Sequence, residues 1–176
     1  MASAWAATAF GMAFAGMLGI YLQMRSATLA DGGEWLGDVT IPLTPPNVMM
    51  ATLVMSAVTA HWAHYAIVRN DRVNAYVAMG LTIVFGVAFV NSQGFLYSQM
   101  GLVVADSAQA MLVYAITGTY LAMLGIAMLY LAVTAFRALG GQFTPTQHDT
   151  VTGAVLFWDA TVAIFGFIWI AIYIAK

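Results

Sequence analysis

The sequence predicts an all-α integral membrane protein, a single bundle of five transmembrane helices. Its 176 residues are 62% hydrophobic and 7% charged, whereas a soluble domain is about half apolar and about one-quarter charged. Polar turns divide the chain into five apolar stretches, each long enough for the ~20 residues that cross a bilayer as a helix. One membrane domain is predicted over 1–176, with spans at about 4–24, 46–68, 73–96, 107–136 and 146–175.

Charge and cysteine content narrow the classes of function. The formal net charge is −2, with only five Lys and Arg residues, which disfavours a nucleic-acid partner or an anionic surface. Because the chain has no cysteine, it cannot hold a disulfide, a thiolate metal site or an all-cysteine iron–sulfur cluster. No phosphate-binding loop, dinucleotide fingerprint or Ser–His–Asp motif is recognisable. The residues alone indicate a five-helix membrane subunit without an obvious catalytic centre.

A stripe of small residues marks the first predicted span. Small side chains recur there at every fourth position: Ala7, Gly11, Ala15 and Gly19. Such a stripe lies on one helix face and lets another helix approach closely. The span is longer than the ~7–15-residue apolar core of a signal peptide, so a retained membrane helix is predicted. Gly11, Ala15 and Gly19 are the candidate helix interface.

Capping residues and polar turns bound the next three spans. Thr44 is predicted to cap the second span, with two prolines following in the first turn, where a missing N–H is tolerated. The polar turn 69–72 separates the second and third spans. The fourth span begins near Ser107 and ends before the glycine pair 140–141.

The last predicted span carries a single acid within its apolar run. Thr144 and Gln147 form a capping box at its start. Asp159 lies roughly halfway along, where an ionised carboxylate costs about 2.5–3.5 kcal/mol on insertion scales, so its side chain should face protein or water. Helical periodicity places His148, Thr152 and Asp159 on one face. A buried acid hydrogen-bonded to a neighbouring helix is the structural interpretation of Asp159, and a proton relay is the functional one.

Basic residues predict the orientation of the bundle. Three arginines fall in loops at one end: Arg69, Arg72 and Arg137. The other end has Arg25 and Lys176. The positive-inside rule then puts the N-terminus in the cytoplasm and the C-terminus outside.

Three histidines are the candidate ligands for a metal or a haem. His61 and His64 are three residues apart in the second span, and His148 lies at the start of the last span, so the predicted orientation places all three in the inner half of the membrane. Three imidazoles can bind zinc or copper, with Asp149 available as a fourth ligand. A pair on facing helices can hold a haem. Histidines that hydrogen-bond to backbone or lipid headgroups are the alternative.

Three sets of residues, taken in order along the chain, follow the pattern of a known family. The first set closes the first span and opens the second: Tyr21-x-x-x-Arg25, Pro46-Asn47 and Ser56-x-x-Thr59. The second set lies in the middle of the chain: Gly86-x-x-Phe89-x-x-x-Gln93-x-x-x-Tyr97, then Tyr114-x-x-Thr117-Gly118. The third set belongs to the last span: His148, Phe157-Trp158 and Tyr173. Together they resemble cytochrome c oxidase subunit III of the haem–copper oxidase family, in its short five-helix bacterial form.

The resemblance implies a non-catalytic accessory subunit of a respiratory cytochrome c oxidase in the bacterial inner (cytoplasmic) membrane. Such a subunit binds no cofactor except phospholipid and supports stability and proton uptake. It packs on the catalytic subunit I, which holds the haem and copper, and on other respiratory-complex subunits. Five residues are then candidate buried polar, lipid-contacting or proton-related groups: Asp159, His148, His61, His64 and Gln93. The alternative is a small membrane protein that binds a metal or haem b through His61, His64 and His148.

Several departures mark the chain as a divergent member of that family. Where the family usually has a glutamate, this chain has Phe10-Gly11 in the first span and Leu96 in the third. The family has two histidines where this chain has Tyr120 and Met123, and around the tryptophan of the last span it has a histidine and an aspartate where this chain has Asp159 and Val162. Roles in lipid-headgroup binding or proton supply that depend on those polar groups are therefore not carried over.

The predicted orientation can be tested with topology reporters. A reporter fused after Lys176 is expected outside the membrane, and one inserted at Asn70 is expected in the cytoplasm, because three of the five basic residues lie at the Asn70 end. Paired alkaline phosphatase and fluorescent-protein fusions measure this. Opposite signals at both sites would move all three histidines to the outer half.

Overall fold

Five apolar stretches form five helices that run alternately up and down. The computed structural model describes residues 1–36, 41–104, 107–142 and 148–175. Its helices are α1 (Ala2–Ala30), α2 (Thr44–Val68), α3 (Arg72–Gln99), α4 (Ala108–Leu139) and α5 (Asp149–Ile168), and a π-helical segment, Trp169–Ile174, continues α5. The predicted all-α fold with five helices is confirmed.

Four of these helices are long and apolar enough to cross a membrane: α1, α3, α4, and α5 together with its π-helical continuation. The helix α2 falls outside that group, since His61 and His64 lower its hydropathy and its first turn is polar. It nevertheless packs along α3 as the most extensive helix pair of the bundle. Its 25 residues extend about 37 Å at ~1.5 Å per residue. The second span at 46–68 therefore stays a prediction.

Helix starts agree with the sequence at some positions and differ at others. The Ser107 hydroxyl accepts a hydrogen bond from the Ala110 N–H and caps α4 at the predicted position. The predicted cap by Thr44 is wrong, because the helix already includes Thr44 and Leu43 occupies the capping position. The two prolines do lie in the first turn of α2, as predicted. The predicted capping box of Thr144 and Gln147 lies outside the described residues.

Small side chains bring α2 and α3 together. Ala60 and Ala63 on α2, and Ala75 and Ala78 on α3, are all buried. Such residues let two helix backbones approach closely in lipid. A three-residue turn joins the two helices, and Asn70 in it adopts a φ of 58°, a left-handed conformation that asparagine tolerates better than most residues. The described chain also brings small residues together where α1 meets α5, since a Cβ added at Gly153 would lie 2.7 Å from the Ser3 hydroxyl oxygen.

Trp158 of α5 lies at the centre of the bundle, fully buried. Its indole N–H donates to the Ser56 hydroxyl of α2 at 3.0 Å. Gly86 of α3 leaves room for the ring, since a Cβ added there would lie 3.1 Å from the ring and 3.0 Å from the Met128 sulfur. Next to it, the rings of Phe89, Tyr120 and Phe165 pack with centroids 4.8–5.5 Å apart. These contacts join α2, α3, α4 and α5 into one core.

The space around Gly86 can be tested with two matched substitutions in α3. Gly86→Val is expected to destabilise the protein by about 1–3 kcal/mol, because extra methyl groups in a filled core force neighbouring side chains to move. Gly94→Val is the control, since a Cβ at Gly94 meets nothing within 4 Å. Thermal unfolding in mild detergent, followed by tryptophan fluorescence, compares the two. Equal stability of both variants would contradict this account of the core.

Candidate functional site

An imidazole and a carboxylate meet where α2 packs against α5. The His61 Nε2 atom lies 3.0 Å from the Asp159 Oδ2 atom. The Asp159 side chain therefore hydrogen-bonds to a neighbouring helix, as the structural interpretation of the sequence expected. It is not enclosed, however, because 39% of the Asp159 side chain and 61% of the His61 side chain are exposed. The expectation of a buried acid needs correcting to a pair at the edge of the bundle.

The other two histidines lie beside this pair, towards the start of α5. The His64 Nε2 atom is 3.1 Å from the Thr152 hydroxyl. The His64 and His148 rings contact each other edge to face, with centroids 5.4 Å apart. The structure thus brings together all three predicted histidines and confirms that His148, Thr152 and Asp159 share a face of α5. We call the five residues His61, His64, His148, Thr152 and Asp159 the histidine seam.

The histidine seam is arranged for hydrogen bonding. Within the described ranges, no group of three or more His, Asp or Glu side chains is placed to hold a metal ion. Asp159 engages the Nε2 atom of His61, and Thr152 engages that of His64. Asp149, the fourth ligand considered from the sequence, is exposed at the start of α5. An imidazole and a carboxylate at 3.0 Å can share or transfer a proton.

An open groove of about 240 Å³ runs along the histidine seam. Val155 and Leu156 add apolar walls to the polar side chains of His61, His64, Thr152 and Asp159. The groove lies on the outer surface of the bundle, so in a membrane it faces lipid or another protein. Polar and apolar groups therefore alternate along this surface.

Gln93 lies apart from the histidine seam, near the opposite end of the bundle. Gln93 is only 1% exposed. The Gln93 side chain and the Tyr173 hydroxyl interact in the core, although among the described residues neither the Gln93 Nε2 atom nor the Tyr173 hydroxyl has a partner at ordinary hydrogen-bond geometry. Nearby, the Tyr97 hydroxyl donates to the Thr117 hydroxyl at 2.7 Å. Of the five candidate polar residues, Gln93 is the one fully enclosed in the core, and it does not join the other four.

The small residues of α1 line a second groove, which is apolar. Gly11, Ala15 and Gly19 face the late part of α5 across a volume of about 520 Å³. A Cβ added at Gly11 or Gly19 would meet nothing within 4 Å. The buried contacts of α1 with the bundle come instead from larger side chains: Phe14, Leu18 and Tyr21. Gly11, Ala15 and Gly19 therefore border an open groove, whereas Ala7, the fourth residue of the stripe, packs against the core.

Sequence reasoning missed two pairings. It gave Asp159 no named partner, although His61 and Asp159 lie at similar depths, seven residues from the end of α2 and ten from the start of α5. It also missed the hydrogen bond from Trp158 to Ser56. Both of those residues belong to the motifs that carried the family resemblance, but a motif does not show which of its members touch.

Comparison with known proteins agrees with the fold. The family model described as cytochrome c oxidase subunit III matches residues 10–176. Curated proteins named cytochrome c oxidase subunit 3 are similar: that of Gallus gallus is 30% identical over 163 residues and that of Formosania lacustris 29%. In each case the alignment covers 89% of this chain and 62% of the relative, so the chain spans less than two thirds of their length. This chain, a multi-pass helical membrane protein with the predicted motifs in order, therefore belongs to the cytochrome c oxidase subunit III family.

Proposed function

We propose that the chain is a non-catalytic accessory subunit of a respiratory haem–copper oxidase. The observation that carries this proposal is the family match over residues 10–176, which includes the four later helices and most of α1. The whole chain has three histidines, fewer than the haem and copper centres of such an oxidase use as ligands. The haem and copper then belong to a partner, the catalytic subunit I. The chain contributes packing, and with it stability and support of proton uptake.

The open face of α1 is the proposed contact with subunit I. Association of helices in lipid is driven by close van der Waals packing, for which small residues are suited. An added Cβ at Gly11 or Gly19 would meet nothing within 4 Å, and Ala15 lines the same open groove. Other subunits of the respiratory complex can adjoin the remaining exposed surfaces.

Phospholipid is the second proposed occupant of the apolar groove. Along α1 the groove extends from Gly11 to Leu22, about 16 Å at ~1.5 Å per residue. Its walls are almost entirely aliphatic and aromatic, as an acyl chain requires. A lipid that fills the part not covered by a protein helix would stabilise the contact between α1 and α5.

The proposed location is the bacterial inner membrane, with the N-terminus in the cytoplasm. The Arg72 guanidinium reaches to 3.7 Å from the Cβ position of Gly141, so the turn between α2 and α3 and the start of the α4–α5 connection share one end of the bundle. Arg69, Arg72 and Arg137 therefore cluster at that end. This clustering supports the orientation expected from the positive-inside rule.

The contact with the catalytic subunit can be tested by co-purification. Gly11→Leu and Gly19→Leu, made separately, are each expected to lower the recovery of haem with the tagged chain at least about fivefold, equivalent to about 1 kcal/mol. Insertion should remain intact, since leucine favours the bilayer. Gly16→Leu is the control, because Gly16 is exposed on α1 but does not line the groove. Haem is measured by optical spectra of complexes in mild detergent.

Two results would overturn the proposed function. One is a wild-type chain that purifies alone and is stable, with a Soret band or stoichiometric copper of its own. That result would favour the alternative of a small protein that binds a metal or haem b through His61, His64 and His148. The other is a wild-type chain that recovers no haem-containing partner from its native membrane.

A further inference from the structure

The His61–Asp159 pair lies deep in the membrane part of the bundle. Asp159 is ten residues from the start of α5, about 15 Å along its axis at ~1.5 Å per residue, and the helix continues for another fifteen residues to Ile174. Asp159 belongs to the apolar segment Asp149–Ile174 that is long enough to span a bilayer, and the His61 Nε2 atom lies 3.0 Å from its carboxylate. The pair is therefore too deep for lipid headgroups to reach.

At that depth the exposed surface of the pair needs a polar partner. Ionisable residues within membrane helices face protein or a water-filled cavity, because hydrocarbon offers no hydrogen bonds. A carboxylate can accept about four hydrogen bonds, and within the described part of the chain His61 is the one side chain that pairs with Asp159. With 39% of the Asp159 side chain and 61% of the His61 side chain exposed, the chain by itself does not cover the pair.

We propose that the histidine seam is the docking site for a transmembrane helix of a partner subunit that brings a hydrogen-bond donor to Asp159. This inference rests on the proposed function, since it assigns a second contact surface to the same accessory subunit. The groove has the mixed character that such a helix requires: His61, His64 and Asp159 for its polar side chain, and Val155 and Leu156 for its apolar neighbours.

Charge identifies the kind of side chain that fits. The described residues that line the groove include one carboxylate and no Lys or Arg. A lysine, arginine, serine, threonine or asparagine on the partner helix would complement Asp159, whereas a second carboxylate would repel it. A lipid acyl chain can fill the groove but cannot donate a hydrogen bond.

The histidine seam and the apolar groove of α1 are separate surfaces. The seam contains residues between His148 and Asp159, at the start of α5. The apolar groove is lined by residues between Ile164 and Ala175, at the end of α5 and along its π-helical continuation. The seam also involves α2, and the groove involves α1. A partner helix can therefore occupy the seam while the face of α1 holds its own contact.

The proposal can be tested with a site-specific photo-crosslinker in the intact complex. The crosslinking residue replaces Leu156, which is 42% exposed and lines the groove, and the control replaces Leu129 on α4, which is 69% exposed. The expected result is an adduct from position 156, at least fivefold above that from 129, with a membrane-spanning peptide of another subunit. Mass spectrometry should find a Lys, Arg, Ser, Thr or Asn within one helical turn of the crosslinked position. An adduct with lipid alone, with a second copy of this chain, or equally from both positions would overturn the proposal.

A second variant tests the polar contact itself. The double variant His61→Leu with Asp159→Leu removes both polar groups together, so neither is left unpaired in lipid. If a partner helix docks there, the adduct from position 156 should fall at least fivefold while thermal unfolding of the purified chain stays cooperative. If the seam faces lipid, the double variant should crosslink and assemble like the wild type, and the proposal fails.

The two proposals fail in different ways. Recovery of haem with the unmodified chain reports on the proposed function, and the adduct from position 156 reports on the histidine seam. Haem recovered without a protein adduct would refute the seam proposal alone. No haem recovered, whatever the adduct, would refute the proposed function.

Discussion

The hydrogen bond from Trp158 to Ser56 determines how α5 is rotated within the bundle. In lipid an indole N–H must find its acceptor inside the protein, and Ser56 on α2 provides it at 3.0 Å. The ring also needs the space left by Gly86 on α3. Consecutive helical residues differ by about 100° in direction, so with Trp158 pointing into the core its two neighbours point to opposite sides of α5. Phe157 on one side is 4% exposed, whereas Asp159 on the other side meets His61 of α2 at the edge of the bundle.

The sequence predicted the five-helix fold well because the length and the hydrophobicity of a stretch are enough to identify a membrane helix. Long apolar stretches and polar turns identify the five helices, and Ser107 caps α4 as expected. The exposure of Asp159 could not be predicted, since periodicity gives the direction of a side chain but not how far a neighbouring helix covers it. His61 is close enough for a hydrogen bond and yet does not cover the carboxylate.

The stripe of small residues on α1 illustrates a second limit of sequence reasoning. A repeat at every fourth position indicates that something can approach closely, but not whether that is part of the same chain. Within the chain, the buried alanines of α2 and α3, including Ala60 and Ala78, do not follow so regular a pattern. A Cβ added at Gly11 or Gly19 would meet nothing within 4 Å. The more regular stripe is thus the one left open for another molecule.

The exposed His61–Asp159 pair also bears on the lifetime of the protein before assembly. If a partner helix docks on the histidine seam as proposed, a newly inserted chain that lacks this helix would present the polar pair to hydrocarbon, a state less stable by up to about 2.5–3.5 kcal/mol for an ionised carboxylate at mid-membrane. Docking would remove that surface from lipid. Unassembled copies would then be the ones that membrane quality control extracts and degrades, so the amount of this subunit in the cell would follow the supply of its partner.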